Sequence, residues 1–567
     1  MSSWPYHFVD LNDQQKHQRR ILLDRYGVYA QLSALVPVAV ILLLRLGTWV
    51  LSERKRQHEY SAVPSSPGLK RERLSSSGAL LRSYRRLEWW LESDVGGGWG
   101  VRGRWIAGLA WGAWLLFLSV HRTGDDYLHI TKRFGEVAVS QFPMHYILSM
   151  KSAYSPLALV LNSSHEELNP WHRLSGRIIY SILALHASWY LNFFIQAGLL
   201  AKRLKSLDVL IGIAAFIGLT IISTTSLAFV RRWSYRVFFV MHLTIGVTIL
   251  PLLFFHASHL RFYIMEALAI FVFDIVCRKL DTTTGYATIT SVPHTKLVKL
   301  KIPIPASKIK RFHAAPGQHV YLSIPPESAP PTTTTPSIHD LLFNPFTVAD
   351  VGAKDITLVL RTLNGPTTKA IESLGHLTKA RPPINIEGPL GSSRRFTNLA
   401  QKYDRILLFA GGVGATFTLP VYHHLQKQLE SEGRSPDHLT CIWSMRSAAE
   451  SSWAIEPEAS EKIDDDANVK IFLTRTREDR IQEPIPADGS IELNDLTREE
   501  EPVKATGGRD RPDIGKIVDS VFKAGHEESV AVLVCGPVEM AREVRKELGK
   551  WVSKGRNIWF HDESFGW

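Results

Sequence analysis

The stretch HRLSGRIIYSILALH, residues 172–186, opens and closes with histidine and is almost wholly apolar between. HLTIGVTILPLLFFH, residues 242–256, repeats the arrangement with the same 14-residue separation. In an α-helix, 14 residues turn about 1400°, roughly 40° short of four full turns, and rise about 21 Å. Each pair therefore shares one helix face at two depths. One further apolar run, residues 209–230, separates the two helices, so both cross a bilayer in the same direction. His172 can then face His242 at one level, and His186 can face His256 at the other. Imidazole in lipid is costly unless it has a partner. Imidazoles facing across a gap at two levels suit two six-coordinate haems stacked across the membrane. Hydrogen bonding within a helix bundle would explain one such histidine; four at matched spacing point to ligation. His259, 17 residues after His242, turns about 100° off the shared face. His145 has no partner at this spacing and reads as structural.

The rest of the chain agrees with a membrane setting. At 567 residues it is long enough for two to four units. Residues 178–201, 209–230 and 237–260 carry no charged side chain and can each cross a hydrocarbon core of about 30 Å. Weaker candidates are residues 28–51, 105–120, 134–161 and 262–278, giving seven expected spans. The first twenty residues lack the apolar core of a secretory signal, so the first span is expected to direct membrane insertion itself. Residues 52–104 hold eleven Lys and Arg, and the turn at 231–236 reads RRWSYR; both are expected on the cytosolic side. Seven spans then put the amino terminus outside and everything after about residue 280 in the cytosol, although KRLK at 202–205 falls outside. SAVPSSPGLKRERLSSSG makes residues 52–104 read as a flexible loop. A net charge of +12 is accounted for by such loops and does not call for nucleic acid. Cys277, Cys441 and Cys535 are far apart and form neither a disulfide framework nor a zinc site.

From about residue 285 the pattern changes to short β-rich runs such as YATITSV and GQHVYLSI, separated by proline and glycine, which predict a small barrel. NPFTVAD (344–350), RTLNGPTTKA (361–370) and IEGPLGSS (386–393) follow. Beyond Lys402, RILLFAGGVGATFTLPVYHHLQKQL reads as a buried strand, a glycine turn and a helix, where backbone N–H groups at the helix start can take a dinucleotide phosphate. VAVLVCGP at 530–537 repeats strand and turn, and the chain ends HDESFGW. ESAPPTTTTPS at 327–337 and the charged stretch at about 480–515 read as solvated insertions.

The order of histidine pairs, NPFTVAD, GGVGATFTLP, CGP and a terminal aromatic resembles the fungal ferric reductase and NADPH oxidase superfamily, over about residue 100 to the end. FGEVAVSQFPMHYILSMKSAYSPLALVL followed by WHRLSGR is similar to that family's approach to its first haem helix, and the short chain is similar to yeast-type metalloreductases without a signal peptide. The resemblance implies a multi-span α-helical transmembrane domain with two b-type haems over residues 28–279, following a tail at 1–27. After it would come a β-barrel FAD-binding domain at 285–395 and a ferredoxin-reductase-like α/β NADP-binding domain at 402–567. It implies His172, His186, His242 and His256 as haem-iron ligands. Asn344, Pro345, Phe346, Thr347, Gly365, Thr367 and Gly388 fall to the flavin and its surroundings. Gly411, Gly412, Gly414 and Thr416 fall to the pyrophosphate turn. Cys535, Gly536 and Pro537 would lie beside the nicotinamide, and Phe565 or Trp567 near the flavin ring. Arg446, after the strand LTCIWSM, could meet the 2′-phosphate of NADPH. The family usually has histidine where this chain has Asn344, which keeps hydrogen-bonding capacity but loses the imidazole ring.

The implied activity is transmembrane electron transfer from cytosolic NADPH through FAD and two haems to an acceptor beyond the membrane. Ferric or cupric chelates are the expected acceptors, with dioxygen, giving superoxide, as the alternative. A haem-binding sensor or scaffold without turnover is the rival from another class. The expected setting is a multi-pass position among membrane lipid, in the plasma membrane ahead of endoplasmic reticulum or vacuole. Oligomerisation or an accessory subunit is not legible.

Overall fold

The computed structural model describes residues 5–59, 76–96, 99–325, 343–363, 365–376, 381–391, 395–454, 466–474, 506, 508, 510–525 and 528–563. They fall into two compact units. One comprises Met1–Glu72 and Trp90–Leu280, the other Arg73–Trp89 and Asp281–Gly566.

The first unit is helical. Its elements are α1 (Asp13–Ser33), α2 (Val36–Glu59), α3 (Ser76–Leu91, mostly in the second unit), α4 (Arg102–Val120), α5 (Tyr127–Val139), α6 (Phe142–Ser149) and α7 (Pro156–Leu161). Then come α8 (His165–Gln196), α9 (Leu200–Arg203), α10 (Leu207–Thr225), α11 (Ala228–Trp233), α12 (Tyr235–His256) and α13 (Arg261–Asp281). Side-chain caps set several starts: Asn12 and Gln15 form a reciprocal capping box on α1, Asp126 accepts from the His129 N–H on α5, and Ser164 accepts from the Glu167 N–H on α8. Among the described residues, five helical segments are long and apolar enough to cross a membrane: Asp13–Gly47, Arg102–Val120, His165–Gln196, Leu207–Thr225 and Tyr235–His256. The chain is a multi-pass membrane protein.

The expected span at 134–161 is corrected. It is broken into α5, α6 and α7, interrupted at Ser140–Gln141 and again before Pro156. Polarity accounts for the break. α5 buries Thr131, Arg133 and Glu136 against other helices instead of offering a lipid face. Arg133 is fully buried, stacked 4.0 Å over the Tyr26 ring, with Nη1 donating to the Leu118 carbonyl at 3.1 Å and Nη2 2.9 Å from His129 Nε2. Glu136 pairs with His259 at 3.1 Å, and Arg20 reaches the other ring nitrogen of His259 at 3.0 Å. Leu115, Phe134, Ile179, Ile182, Ile249, Leu250 and Ile264 pack the core around this polar strip. Expected span 262–278 lies in α13, which also carries Glu266 and Asp274.

The second unit holds two sheets. Seven strands, β1 (Thr283–Tyr286), β2 (Thr288–Ser291), β3 (Leu297–Pro303), β4 (His319–Ser323), β5 (Asn344–Val351), β6 (Asp355–Arg361) and β7 (Pro383–Leu390), form an antiparallel sheet in the order β1-β7-β4-β5-β6-β3-β2. Its ends curl toward each other: a Cβ on Gly285 of β1 would stand 2.5 Å from the Pro303 carbonyl of β3, a distance only glycine permits. Val298, Leu300, Val320, Leu322, Leu358 and Ile386 fill the interior. The expected barrel is present in this nearly closed form.

Five parallel strands follow: β8 (Arg405–Gly411), β9 (Leu439–Met445), β10 (Val469–Leu473), β11 (Val530–Cys535) and β12 (Ile558–Asp562), ordered β10-β9-β8-β11-β12. These strands read as near-continuous apolar runs because helices cover both faces. Strand order reverses between β8 and β11, a topological switch point of the kind where α/β sheets bind ligands. The insertion at 327–337 and most of 480–515 lie outside the described residues.

Part of the loop expected to be flexible is a helix. α3 belongs with the nucleotide-domain unit through one face, Arg82, Arg86 and Trp89. Arg545 stands 4.2 Å over the Trp89 ring and donates to the Trp89 carbonyl at 3.1 Å, Phe560 lies 6.0 Å from that ring, and Arg86 donates to the Ser553 carbonyl. Residues spaced i, i+4, i+7 make one stripe of a helix, and this stripe is what orders the segment.

Candidate redox and dinucleotide sites

All four histidines singled out at the start are tied at the same ring nitrogen. His172 Nδ1 lies 3.1 Å from the His145 carbonyl, His186 Nδ1 2.8 Å from the Thr131 carbonyl and His256 Nδ1 2.8 Å from the Asp208 carbonyl. His242 Nδ1 lies 3.2 Å from Ser226 Oγ. A carbonyl can only accept, so three of the four rings must carry their proton on Nδ1, leaving Nε2 with its lone pair free. Fixing the tautomer from behind in this way is how proteins orient imidazole ligands.

At the first level the His172 and His242 rings stand 6.0 Å apart, edge to face. Two glycines make room at the second level. A Cβ on Gly135 would stand 2.8 Å from both Cε1 and Nδ1 of His186, and one on Gly212 would stand 2.5 Å from Cε1 of His256. His259 sits in a separate turn beyond α12, bonded to Arg20 and Glu136.

His145 has more to do than its spacing suggested. Its ring stacks on His172 with centroids 4.0 Å apart and an interplanar angle of 16°, its carbonyl receives His172 Nδ1, and its own Nδ1 lies 2.7 Å from Ser175 Oγ. Helical periodicity could not find it, because it comes from α6 and not from either histidine helix.

In the barrel, Asn344, Pro345, Phe346 and Thr347 form the start of β5, in register with Leu322, Tyr321, Val320 and His319 of β4. Asn344 Nδ2 donates to Thr367 Oγ1 at 2.7 Å, so two residues assigned to the flavin from separate motifs touch. Gly365 lies in the turn before the helix Pro366–His376. Gly388, at φ +136° on β7, places its Cβ direction 3.3 Å from the His319 carbonyl. The three motifs therefore converge around β4, β5 and β7. His319, buried in register with Thr347, was not singled out from the sequence. The backbone register is what exposes it.

The glycine turn and the CGP segment meet at the switch point. A Cβ on Gly414 would fall 2.0 Å from the Cys535 carbonyl oxygen, and one on Gly411 would fall 2.6 Å from Pro537 Cδ. Gly412 adopts φ +55°, which glycine takes at little cost, and its carbonyl accepts from Trp443 Nε1 at 3.0 Å. Thr416, buried in the first turn of the helix Ala415–Ser431, donates to the Val413 carbonyl at 2.9 Å. Burial first, with Glu563 and Asp562 nearby, holds the Cys535 thiol well above its ordinary range, so it stays protonated. Arg446 is exposed at the end of β9. Two charged groups that the sequence did not flag also reach the turn: Arg361 Nη2 and Glu450 Oε1 form an ion pair of 2.9 Å, and the Arg361 nitrogen is 3.3 Å from the position a Gly412 Cβ would take. Phe565 and Trp567 lie outside the described residues.

Comparison with known proteins agrees with this division. Residues 134–253 match the family model described as ferric reductase like transmembrane component, and residues 403–548 match that of the ferric reductase NAD binding domain. Similar curated proteins include ferric reductase transmembrane component 1 of Schizosaccharomyces pombe, 24% identical over 73% of this chain and 76% of its own length. Ferric/cupric reductase transmembrane component 2 of the same organism is 24% identical over 76% of the chain and 80% of its own length. The probable metalloreductase AIM14 of Meyerozyma guilliermondii is 25% identical over 76% and 82% respectively.

Proposed function

We propose that this chain, in which a ferric-reductase transmembrane domain precedes a ferric-reductase NAD-binding domain, oxidises reduced nicotinamide dinucleotide in the cytosol and reduces ferric or cupric chelates across the membrane. The observation that carries the reading is the common tie at Nδ1 of His172, His186, His242 and His256, which through carbonyl partners frees the Nε2 lone pairs of His172, His186 and His256 and through Ser226 anchors His242. His172 and His242 would hold one haem iron, and His186 and His256 the other. Asn344 and Thr347, with Thr367 behind Asn344, would hold FAD. When bound, flavin links a donor of two electrons to haems that take one at a time.

The chain's own residues supply orientation. Carbonyls of His145, Thr131 and Asp208 hold the imidazole protons away from the ligating face. Gly411, Gly412 and Gly414 let the turn approach the CGP segment closely enough to leave backbone N–H groups for a pyrophosphate. Cys535 stays a thiol, so its part beside a nicotinamide would be packing and not proton abstraction. Lysine and arginine in the 52–104 segment favour a cytosolic position for the soluble half, and reduction of external chelates suits the plasma membrane.

Purified protein supplied with NADPH or NADH and offered ferric chelate, cupric ion and dioxygen side by side tests this. Ferrous or cuprous product as the main outcome supports it. Superoxide that persists with saturating chelate and no reduced metal overturns it in favour of an oxidase.

A further inference from the structure

α3 has a second face that the nucleotide-domain unit does not use. Its docked face is the one with Arg86 on the Ser553 carbonyl, at the end of the helix Val538–Ser553, and with Trp89 under Arg545. At 100° per residue, Leu80, Tyr84 and Leu87 fall within about 60° of one another, on the side opposite Trp89. Their exposures are 72%, 60% and 53%. Six large apolar side chains are exposed among the described residues of the second unit, and these are three of them. The others, Tyr286, Leu363 and Val538, are scattered along the chain, so the α3 stripe is where exposed apolar surface gathers in that unit. A contiguous exposed stripe marks a surface that something covers.

The end of α3 indicates what covers it. Its last turn abuts the first turn of α4, a helix long and apolar enough to cross a membrane. Arg102 stands 5.3 Å over the Trp90 ring, its N–H donates to the Ser93 carbonyl at 3.0 Å, and a Cβ on Gly103 would stand 3.2 Å from the Leu91 carbonyl. Trp90 and Trp99 are exposed beside this junction, and the Trp99 ring lies 5.8 Å from that of Trp105. Tryptophan gathers at the level of lipid headgroups. α3 also carries Arg82, Arg85 and Arg86 against one acid, Glu88. An apolar stripe on a basic helix is the pattern of a helix that lies in the membrane interface.

We propose that α3 is such an interfacial helix, lying along the cytosolic leaflet with Leu80, Tyr84 and Leu87 among the headgroups and upper acyl chains of anionic lipid. Its opposite face holds the nucleotide domain. A soluble partner would have no reason to meet the stripe where α4 enters the bilayer, whereas lipid is already there.

The test uses full-length protein in nanodiscs of phosphatidylcholine with phosphatidylserine, carrying a photoreactive benzophenone-bearing phenylalanine in place of Tyr84 or of Leu87. Mass spectrometry after illumination should find lipid adducts at both positions, enriched in phosphatidylserine relative to the bilayer. Adducts only to protein, whether to this chain, a second copy or another polypeptide, overturn the proposal, as do lipid adducts that merely mirror the bilayer composition. Deuterium exchange on the unaltered protein gives a readout without any variant. Amides of Tyr84 to Leu87 should exchange about fivefold or more slowly with phosphatidylserine present than in phosphatidylcholine alone, the effect of about one arginine at an anionic surface. Equal rates in the two bilayers also overturn it.

Discussion

Gly212 leaves space for the ring of His256: a Cβ there would stand 2.5 Å from Cε1 and 2.8 Å from Nδ1, the nitrogen that faces the Asp208 carbonyl. Real Cβ contacts do not come so close, so Gly212→Ala must push the ring off its carbonyl. The expected result is loss of about half the bound haem, with Gly135→Ala giving the same outcome through His186. Gly246→Ala, where an added Cβ has nothing within 4 Å, should leave haem content unchanged. Haem-to-protein ratios of the three variants check this.

The bond from Asn344 to Thr367 predicts that the two side chains act on flavin together. Thr367→Val removes the acceptor and leaves the Asn344 amide without it, which should weaken FAD binding by about 0.5 to 1.5 kcal/mol. Asn344→His should preserve binding or tighten it. Titration followed by flavin fluorescence measures both, and unchanged affinity in Thr367→Val would place the flavin elsewhere.

Legibility of the sequence differed between the two halves for physical reasons. Helical period alone brought His172 to His242, because both helices are long, apolar and parallel. His145 escaped, since it reaches the same level from α6, a short helix with no periodic relation to the pair. The third expected span, already interrupted by Glu136 and Lys151, failed because Glu136 and Arg133 just before the span lie within one helical turn and are both buried against other helices. The glycine turn and CGP were readable as separate motifs, but their contact depends on β8 and β11 being neighbours across the switch point. Arg361 opens RTLNGPTTKA, but nothing local tied it to Glu450, 89 residues away. The docking of α3 had no local signal either; α3 follows the Ser- and Pro-rich stretch that made 52–104 read as a flexible loop.

Gly414→Ala should be among the most damaging single changes in the soluble unit. Its Cβ would overlap the Cys535 carbonyl oxygen, 2.0 Å away, and that oxygen belongs to the backbone at the end of a buried strand. A cost of about 1 to 3 kcal/mol is expected, seen as a lower thermal midpoint and loss of dinucleotide oxidation. Gly433→Ala, with open space around its Cβ but φ +66°, should cost only about 1 kcal/mol.

Acid should weaken the nucleotide domain through Glu528. A hydrogen bond from Arg405 Nε at 2.8 Å holds its carboxyl below the ordinary value of 4.5. A lowered folded-state value means the contribution is complete above the ordinary carboxylate range and is lost as pH falls through the lowered one. Arg405→Met should therefore reduce stability by up to about 1 kcal/mol at neutral pH, with the gap from the unaltered protein closing in acid. Thermal unfolding across pH reads the gap directly; a difference independent of pH would contradict the assignment.

The central claim is that parallel helices α8 and α12 hold two haems at two levels. The most direct measurement is the haem-to-protein ratio, with low-temperature absorption spectra, for His172→Leu, His242→Leu, His186→Leu and His256→Leu. Each variant should retain one haem, with one residual spectrum shared by the His172 and His242 variants and a different one shared by the His186 and His256 variants. Retention of both haems in any variant, or a residual spectrum shared by His172→Leu and His256→Leu, would contradict the account.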